Sequence, residues 1–200
     1  MILAGMAAST GDNVRAFIAL PLEPALAAEI RKVQERLNAL GGAVRWISPE
    51  QLHLTLRFLG NVAANRLDDL AAALRRACAR AAPIRLALEG AGCFPNMKSP
   101  RVIWIGIQGD LAPLRALQEQ IAQETKPFGD HSDERAFQPH LSIGRVKAFG
   151  MEGRKVAQAI ERATVPELGE WTVHHVLLVR SKLTPDGARY STLAEVALNR

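Results

Sequence analysis

The chain has few cysteines, no apolar run long enough to cross a bilayer and no low-complexity linker, and each shortage narrows what it can be. Only Cys78 and Cys93 occur in 200 residues, neither in a CxxC pair nor in a Cys/His cluster. That leaves no disulfide framework and nothing that requires an oxidising compartment. Cys78 follows Leu70 and Leu74 at helical spacing and reads as a small buried hydrophobe. No apolar stretch approaches the ~20 residues of a spanning helix. The N-terminal MILAGMAAST has no Lys or Arg before its short apolar part, so it reads as a flexible tail over residues 1–13 rather than a signal peptide. The cytoplasm is the expected compartment.

What is present describes a folded chain. Hydrophobic residues make up 48%, charged residues 22% and aromatics 5% of the sequence, enough to bury a sizeable core in one domain spanning 1–200. The formal net charge of +5 favours an anionic partner without naming one.

Periodicity predicts alternating short strands and helices. RAFIALPL (Arg15 to Leu22) reads as a strand, and Pro24 opens a helix running to about Leu40 before Gly41-Gly42. A strand around QLHLTLRFLG comes next, then a helix from about Asn65 to Ala82. IRLALEGAGCF and RVIWIGIQG read as two strands joined by a turn, with a helix from Leu111 to about Thr125 after them. A polar loop, GDHSDERAF, leads to the strand QPHLSIGRVK. The helix GMEGRKVAQAIERA follows, and WTVHHVLLVRSKL and ARYSTLAEVAL close the chain as two strands. The class is α+β.

Two segments, QLHLTLRFLG (Gln51 to Gly60) and QPHLSIGRVK (Gln138 to Lys147), nearly repeat one another. In a strand alternate side chains share a face. Leu52, Leu54, Leu56 and Phe58 are therefore expected on the core face, with His53, Thr55 and Arg57 on the other. In the second segment Leu141 and Ile143 face the core while His140 and Ser142 point away. Each strand offers an imidazole and, two residues on, a hydroxyl. Two histidines can be held as one acid and one base near neutral pH, and hydroxyls can donate to phosphoryl oxygens. Together they would form a site for in-line displacement at a phosphodiester with no metal or other cofactor.

Three alternative roles compete for these side chains. A single histidine on a strand is commonly structural. Two histidines could ligate zinc, but no Cys, Asp or Glu stands beside either motif to complete the set. Thr55 or Ser142 as nucleophile would need a base nearer than a residue two along an extended strand.

HLTL and HLSI match the H-x-(T/S)-x motif, with hydrophobic x, of the 2H phosphoesterases. RAFIALPL, VRWISPEQLHLTLRFLGNV, CFPNMKSPRVIWIGI, FQPHLSIGRVK and LLVRSKLTPDGARYSTLAEVAL resemble, in order from Arg15 to Leu198, the branch called RNA 2′,3′-cyclic phosphodiesterase or 2′-5′ RNA ligase-like. The resemblance implies a bilobal fold, two pseudo-symmetric lobes of antiparallel sheet with outer helices around a central cleft. It also implies metal-independent hydrolysis of a terminal 2′,3′-cyclic phosphate to a 2′-phosphate, with weak reverse 2′-5′ ligation at most. On that template His53 is the proton donor, His140 the proton acceptor, and Thr55 and Ser142 hold phosphate oxygens. The doubled motif alone does not say which histidine is the acid.

Arg145 takes the place of a basic residue that in the family often reaches the phosphate or the adjacent nucleotide. Strict alternation turns it to the core face, unless Gly144 marks a bulge. Arg57 has the opposite profile, favoured by alternation and otherwise a residue of the cleft edge. Phe17 and Phe94 are candidates to stack a base, with a core role preferred for both. His174 and His175 read as structural and His131 as solvated. The expected partners are RNA ends or small nucleotides bearing a cyclic phosphate. No membrane or obligate protein partner is expected, and the chain is taken as a monomer. Two further functions fit the doubled motif: a phosphate-binding module for RNA ends without turnover, and a phosphodiesterase for another cyclic phosphate, such as an ADP-ribose derivative.

Overall fold

The computed structural model describes residues 13–37, 43–131, 136–147, 150–163, 165–185 and 187–199. The expected tail, save Asn13, and the Gly41-Gly42 stop lie outside them. Nine strands form one sheet, every pair antiparallel. The strands are β1 (Asn13–Pro21), β2 (Val44–Trp46), β3 (His53–Ala63), β4 (Ile84–Phe94), β5 (Val102–Gly109), β6 (His140–Val146), β7 (Gly169–Val173), β8 (His175–Thr184) and β9 (Gly187–Ala197). The helices are α1 (Pro24–Leu37), α2 (Leu67–Cys78), α3 (Leu111–Glu124) and α4 (Gly150–Arg162). The class is α+β, and the bilobal antiparallel arrangement with outer helices is present.

The strand order is β7-β4-β5-β6-β3-β1-β8-β9, with β2 paired to β6. The lobes meet where β6 lies against β3, and four path strands fall on each side. They are not the two halves of the sequence. β4 crosses to join β5 and β7, and β8-β9 return to pair with β1. The expected single strand from Trp171 to Leu183 is accordingly two. His174 breaks it, leaving β7 on β4 in one lobe and β8 on β1 in the other. Helices α2 and α3 pack on each other and beside β3, β8 and β9. Helix α4 packs on β4, and α1 is tied to the β2–β6 side where Gln34 Nε2 donates to the carbonyls of Ile47 (2.8 Å) and Ile143 (2.9 Å).

One aliphatic core lies between sheet and helices. Ile18, Leu20, Leu54, Ile103, Ile105 and Leu141 project from the sheet to meet Ile30, Leu70, Leu74 and Leu114 from the helices. Burial of such side chains contributes about 1.5–3 kcal/mol each. Phe17, Ala19 and Val179 form a second, small cluster apart from that core. No helix among the described residues is long and apolar enough to cross a membrane.

Candidate active site

β3 and β6 touch through one residue pair, Leu54 opposite Leu141. Both side chains are buried in the core, so their sequence neighbours turn to the opposite, concave face. In an antiparallel register centred on that pair, His53 lies across from Ser142 and Thr55 across from His140. The repeated tetrapeptides thus become a diagonal arrangement, with a histidine and a hydroxyl at each end.

Both imidazoles are held in the same way. His53 Nδ1 lies 2.7 Å from the Gln51 carbonyl and His140 Nδ1 2.7 Å from the Gln138 carbonyl. A carbonyl only accepts, so each Nδ1 carries the proton and donates it. That fixes the neutral tautomer and leaves both Nε2 atoms for proton transfer. Burial holds both histidines below their ordinary pKa, and the carbonyl hydrogen bonds offset this in part.

Aromatic rings set the two imidazoles. The Phe17 ring stacks on His53 at 4.7 Å and 26°, and Tyr190 meets His53 at 5.3 Å, nearly perpendicular. Phe94 meets His140 edge-on at 4.8 Å, with Trp104 behind it at 5.4 Å. The preferred core role holds for Phe17, which is buried, and needs correction for Phe94. Phe17 is 3% exposed but belongs to the small concave-side cluster, and Phe94 is half-buried against His140. Tyr190 carries no signal in its own segment, because only the return of β9 beside β8 brings it to β1.

Irregularities at equivalent places in both motif strands change which residues follow onto the concave face. On β3, Thr55 pairs with Ala19 and Arg57 with Ile18, leaving Leu56 as the extra residue. On β6, Ser142 pairs with Trp104 and Gly144 with Ile103, leaving Ile143 extra. A bulge reverses the alternation beyond it. Arg57 and Phe58 therefore exchange their expected faces. Arg57 Nη1 donates to the Ala122 carbonyl (2.9 Å) and to the Thr125 hydroxyl on the helix side. Phe58, 44% exposed, pairs with Phe17 on the concave face. The same device places Arg145 on the concave face in line with Ser142, with Arg45 of β2 its cross-strand neighbour. The bulge that Gly144 suggested is present.

Of the remaining histidines, His174 is exposed and His175 Nδ1 lies 3.7 Å from Glu195. His131 is exposed and edge-on to Phe58 at 6.4 Å. No group of three or more His, Cys, Asp or Glu that could hold a metal occurs among the described residues.

Two like motifs, each with a free Nε2 and a hydroxyl, thus face one cleft flanked by arginine. A family model described as the 2′-5′ RNA ligase superfamily matches residues 22–184. The chain belongs to that superfamily. This member is 34% identical to an RNA 2′,3′-cyclic phosphodiesterase of Methanothermobacter thermautotrophicus over 90% of the chain and 97% of the relative. It is 31% identical to the Thermotoga maritima protein of the same name, over 91% and 94%. Among solved structures, Escherichia coli LigT complexed with 3′-AMP superposes with a TM-score of 0.75 at 25% identity, covering 94% of this chain and all of that one. TT0787 of Thermus thermophilus superposes at 0.70 with 30% identity, covering 92% and 97%.

Proposed function

We propose that the protein is an RNA 2′,3′-cyclic phosphodiesterase that opens a terminal cyclic phosphate to a 2′-phosphate by two-histidine acid–base catalysis. The observation that carries this reading is the matched pair of imidazoles, each with Nδ1 on a carbonyl and Nε2 available at one cleft. Relatives of that name over nearly the whole chain support the substrate class.

Water attacks phosphorus and gives its proton to His140 Nε2. The P–O3′ bond breaks in line, and His53 Nε2–H protonates the departing O3′. Thr55 and Ser142 donate to the phosphoryl oxygens as charge builds there, and Arg145 adds a positive charge at the end of the cleft nearer His53. In this reading the chain works as one domain, a monomer in the cytoplasm, on RNA ends or small nucleotides, and needs no metal. Joining of ends is the reverse of the same step and is expected to be weak.

The test is a short RNA ending in a 2′,3′-cyclic phosphate, incubated in EDTA with the protein and with the His53→Ala/His140→Ala double variant. A 2′-phosphate formed only by the unmodified chain is the expected product. Turnover that appears only on adding Zn²⁺ or Mn²⁺ would make the histidines ligands. Binding without turnover under any condition would make the chain a phosphate-binding module. Adding 5′-hydroxyl RNA at high concentration tests the reverse step, for which a trace of joined product is expected.

A further inference from the structure

We propose that the side chain of Gln51 is a positioning residue for His53: by holding the Ala188 carbonyl of β9 it keeps the Tyr190 ring against the imidazole. The inference rests on the function proposed above, in which His53 moves a proton, and adds a residue from outside both motifs' polar pairs.

Gln51 meets His53 from two directions. Its backbone carbonyl accepts from His53 Nδ1–H at 2.7 Å. Its side-chain Nε2 donates to the carbonyl of Ala188, 137 positions away in sequence. Ala188 stands two residues before Tyr190, and Tyr190 returns to His53 edge-on at 5.3 Å. The contacts thus close a circuit from Gln51 to Ala188, along β9 to Tyr190, across to His53 and back to Gln51. A change at one side chain is therefore felt at the imidazole through β9.

The tie matters because of where Tyr190 sits. β9 ends the strand path and pairs only with β8, and Tyr190 is 40% exposed. The corresponding ring at His140, Phe94, sits on β4, an interior strand of the path. The ring beside His53 thus depends on an edge strand, and Gln51 fastens that strand from its unpaired side. The start of β9 is suited to being held. Thr184 Oγ1 donates to the Gly187 carbonyl (2.7 Å) across the β8–β9 turn. Gly187 itself lies on the Arg45 side chain, so closely that an added Cβ would stand 2.2 Å from Nη2. The hairpin end therefore rests on Arg45 of β2 and on Gln51 just before β3.

Proton NMR on the full chain tests this through the imidazole itself. The ring signals of His53 and His140 are assigned with the two alanine variants and followed against pH. Burial holds His53 below its ordinary value, and Tyr190 supplies part of that cover. Glu50 and Arg31 line the same pocket as His53, and Gln51→Met leaves both charges in place while removing the donor. Loss of the tie should uncover His53, so its midpoint should rise toward the ordinary ~6.5 while that of His140 stays. Turnover of a cyclic-phosphate RNA should fall about ten- to a hundredfold in kcat, the scale of a small misplacement, with KM changed far less. Gln51→Asn keeps the amide but falls short of Ala188, and should give the same rise, which guards against a Met variant that fails to fold. Tyr190→Leu should also raise the His53 midpoint, and adding Gln51→Met to it should raise it no further. An unmoved His53 midpoint in Gln51→Met and Gln51→Asn, or full additivity with Tyr190→Leu, would overturn the proposal. The same samples separate the two readings. A rise at His53 with no ring opening by the unmodified chain would keep the tie and remove the hydrolase. Ring opening by Gln51→Met at the unmodified rate, with His53 unmoved, would do the reverse.

Discussion

In the proposed mechanism each histidine of the pair acts through one atom. A backbone carbonyl two residues back accepts a hydrogen bond from Nδ1–H and leaves Nε2 at the cleft. His53→Ala and His140→Ala should each lower the rate by about 10²–10⁴-fold, the usual contribution of a general acid or base. The double variant should lose far less than the product of the two. Steady-state rates on a cyclic-phosphate RNA check both, and a single variant with near-full turnover would remove that residue from the mechanism. Thr55→Ala and Ser142→Ala should each cost less.

The pH profile follows from burial. The proposed mechanism needs one imidazole protonated and the other neutral, so kcat/KM should be bell-shaped. Burial lowers both pKa values from their ordinary position, which is about 6.5. The acid limb, where the base becomes protonated, and the alkaline limb, where the acid loses its proton, should both lie below that point. The optimum in the free enzyme is therefore expected to be mildly acidic. A rate still at its plateau at pH 9 would show that no imidazole acid is required.

Among the elements, the bulges matter most, because they set which residues follow each motif into the cleft. Arg57, turned away from the cleft by the Leu56 bulge, pins β3 to α3. Hydrogen bonds to a charged group are worth about 1.5–3 kcal/mol, so Arg57→Ala should lower unfolding free energy by about that much and leave KM little changed. Denaturant melts beside kinetics will show it. A variant of normal stability with lost kcat would return Arg57 to the site. Gly129 holds the segment after α3 against the second irregularity of β3. Its φ is +81°, and an added Cβ would lie 1.9 Å from the Leu59 carbonyl oxygen. Gly129→Ala should cost well over the ~1–2 kcal/mol of a left-handed side chain alone, read by the same melts.

At the scale of the molecule, the formal charge of +5 and the Arg45–Arg145 neighbours point the cleft toward a polyanion. Binding of a cyclic-phosphate RNA to the His53→Ala/His140→Ala variant should weaken with salt, by a log–log slope of about 0.7 for each phosphate contacted. A mononucleotide should show a much shallower slope. Equal slopes in a titration from low to moderate salt would confine the contacts to the terminal nucleotide.

Much of this was legible in the residues alone, because it depends on local rules. Alternation in Gln51–Gly60 and Gln138–Lys147 separated core leucines from the histidines and hydroxyls up to Thr55 and Ser142, and periodicity placed the four helices. The doubled motif named the four polar groups and the family. Past Thr55 and Ser142 the same rule failed on β3, since a bulge is an added residue measured against a partner strand, and one strand's sequence does not contain its partner. The break at His174 has a similar cause. Trp171 to Leu183 reads as one strand, but two lobes compete for it, and only the packed sheet divides it between β4 and β1. Tertiary structure also decided what lies beside each histidine. Phe17 and Tyr190 reach His53, and Phe94 reaches His140, through pairings between strands distant in sequence. Local chemistry determined which groups the cleft contains. Long-range pairing decided how they are aimed and which aromatic rings stand beside each histidine.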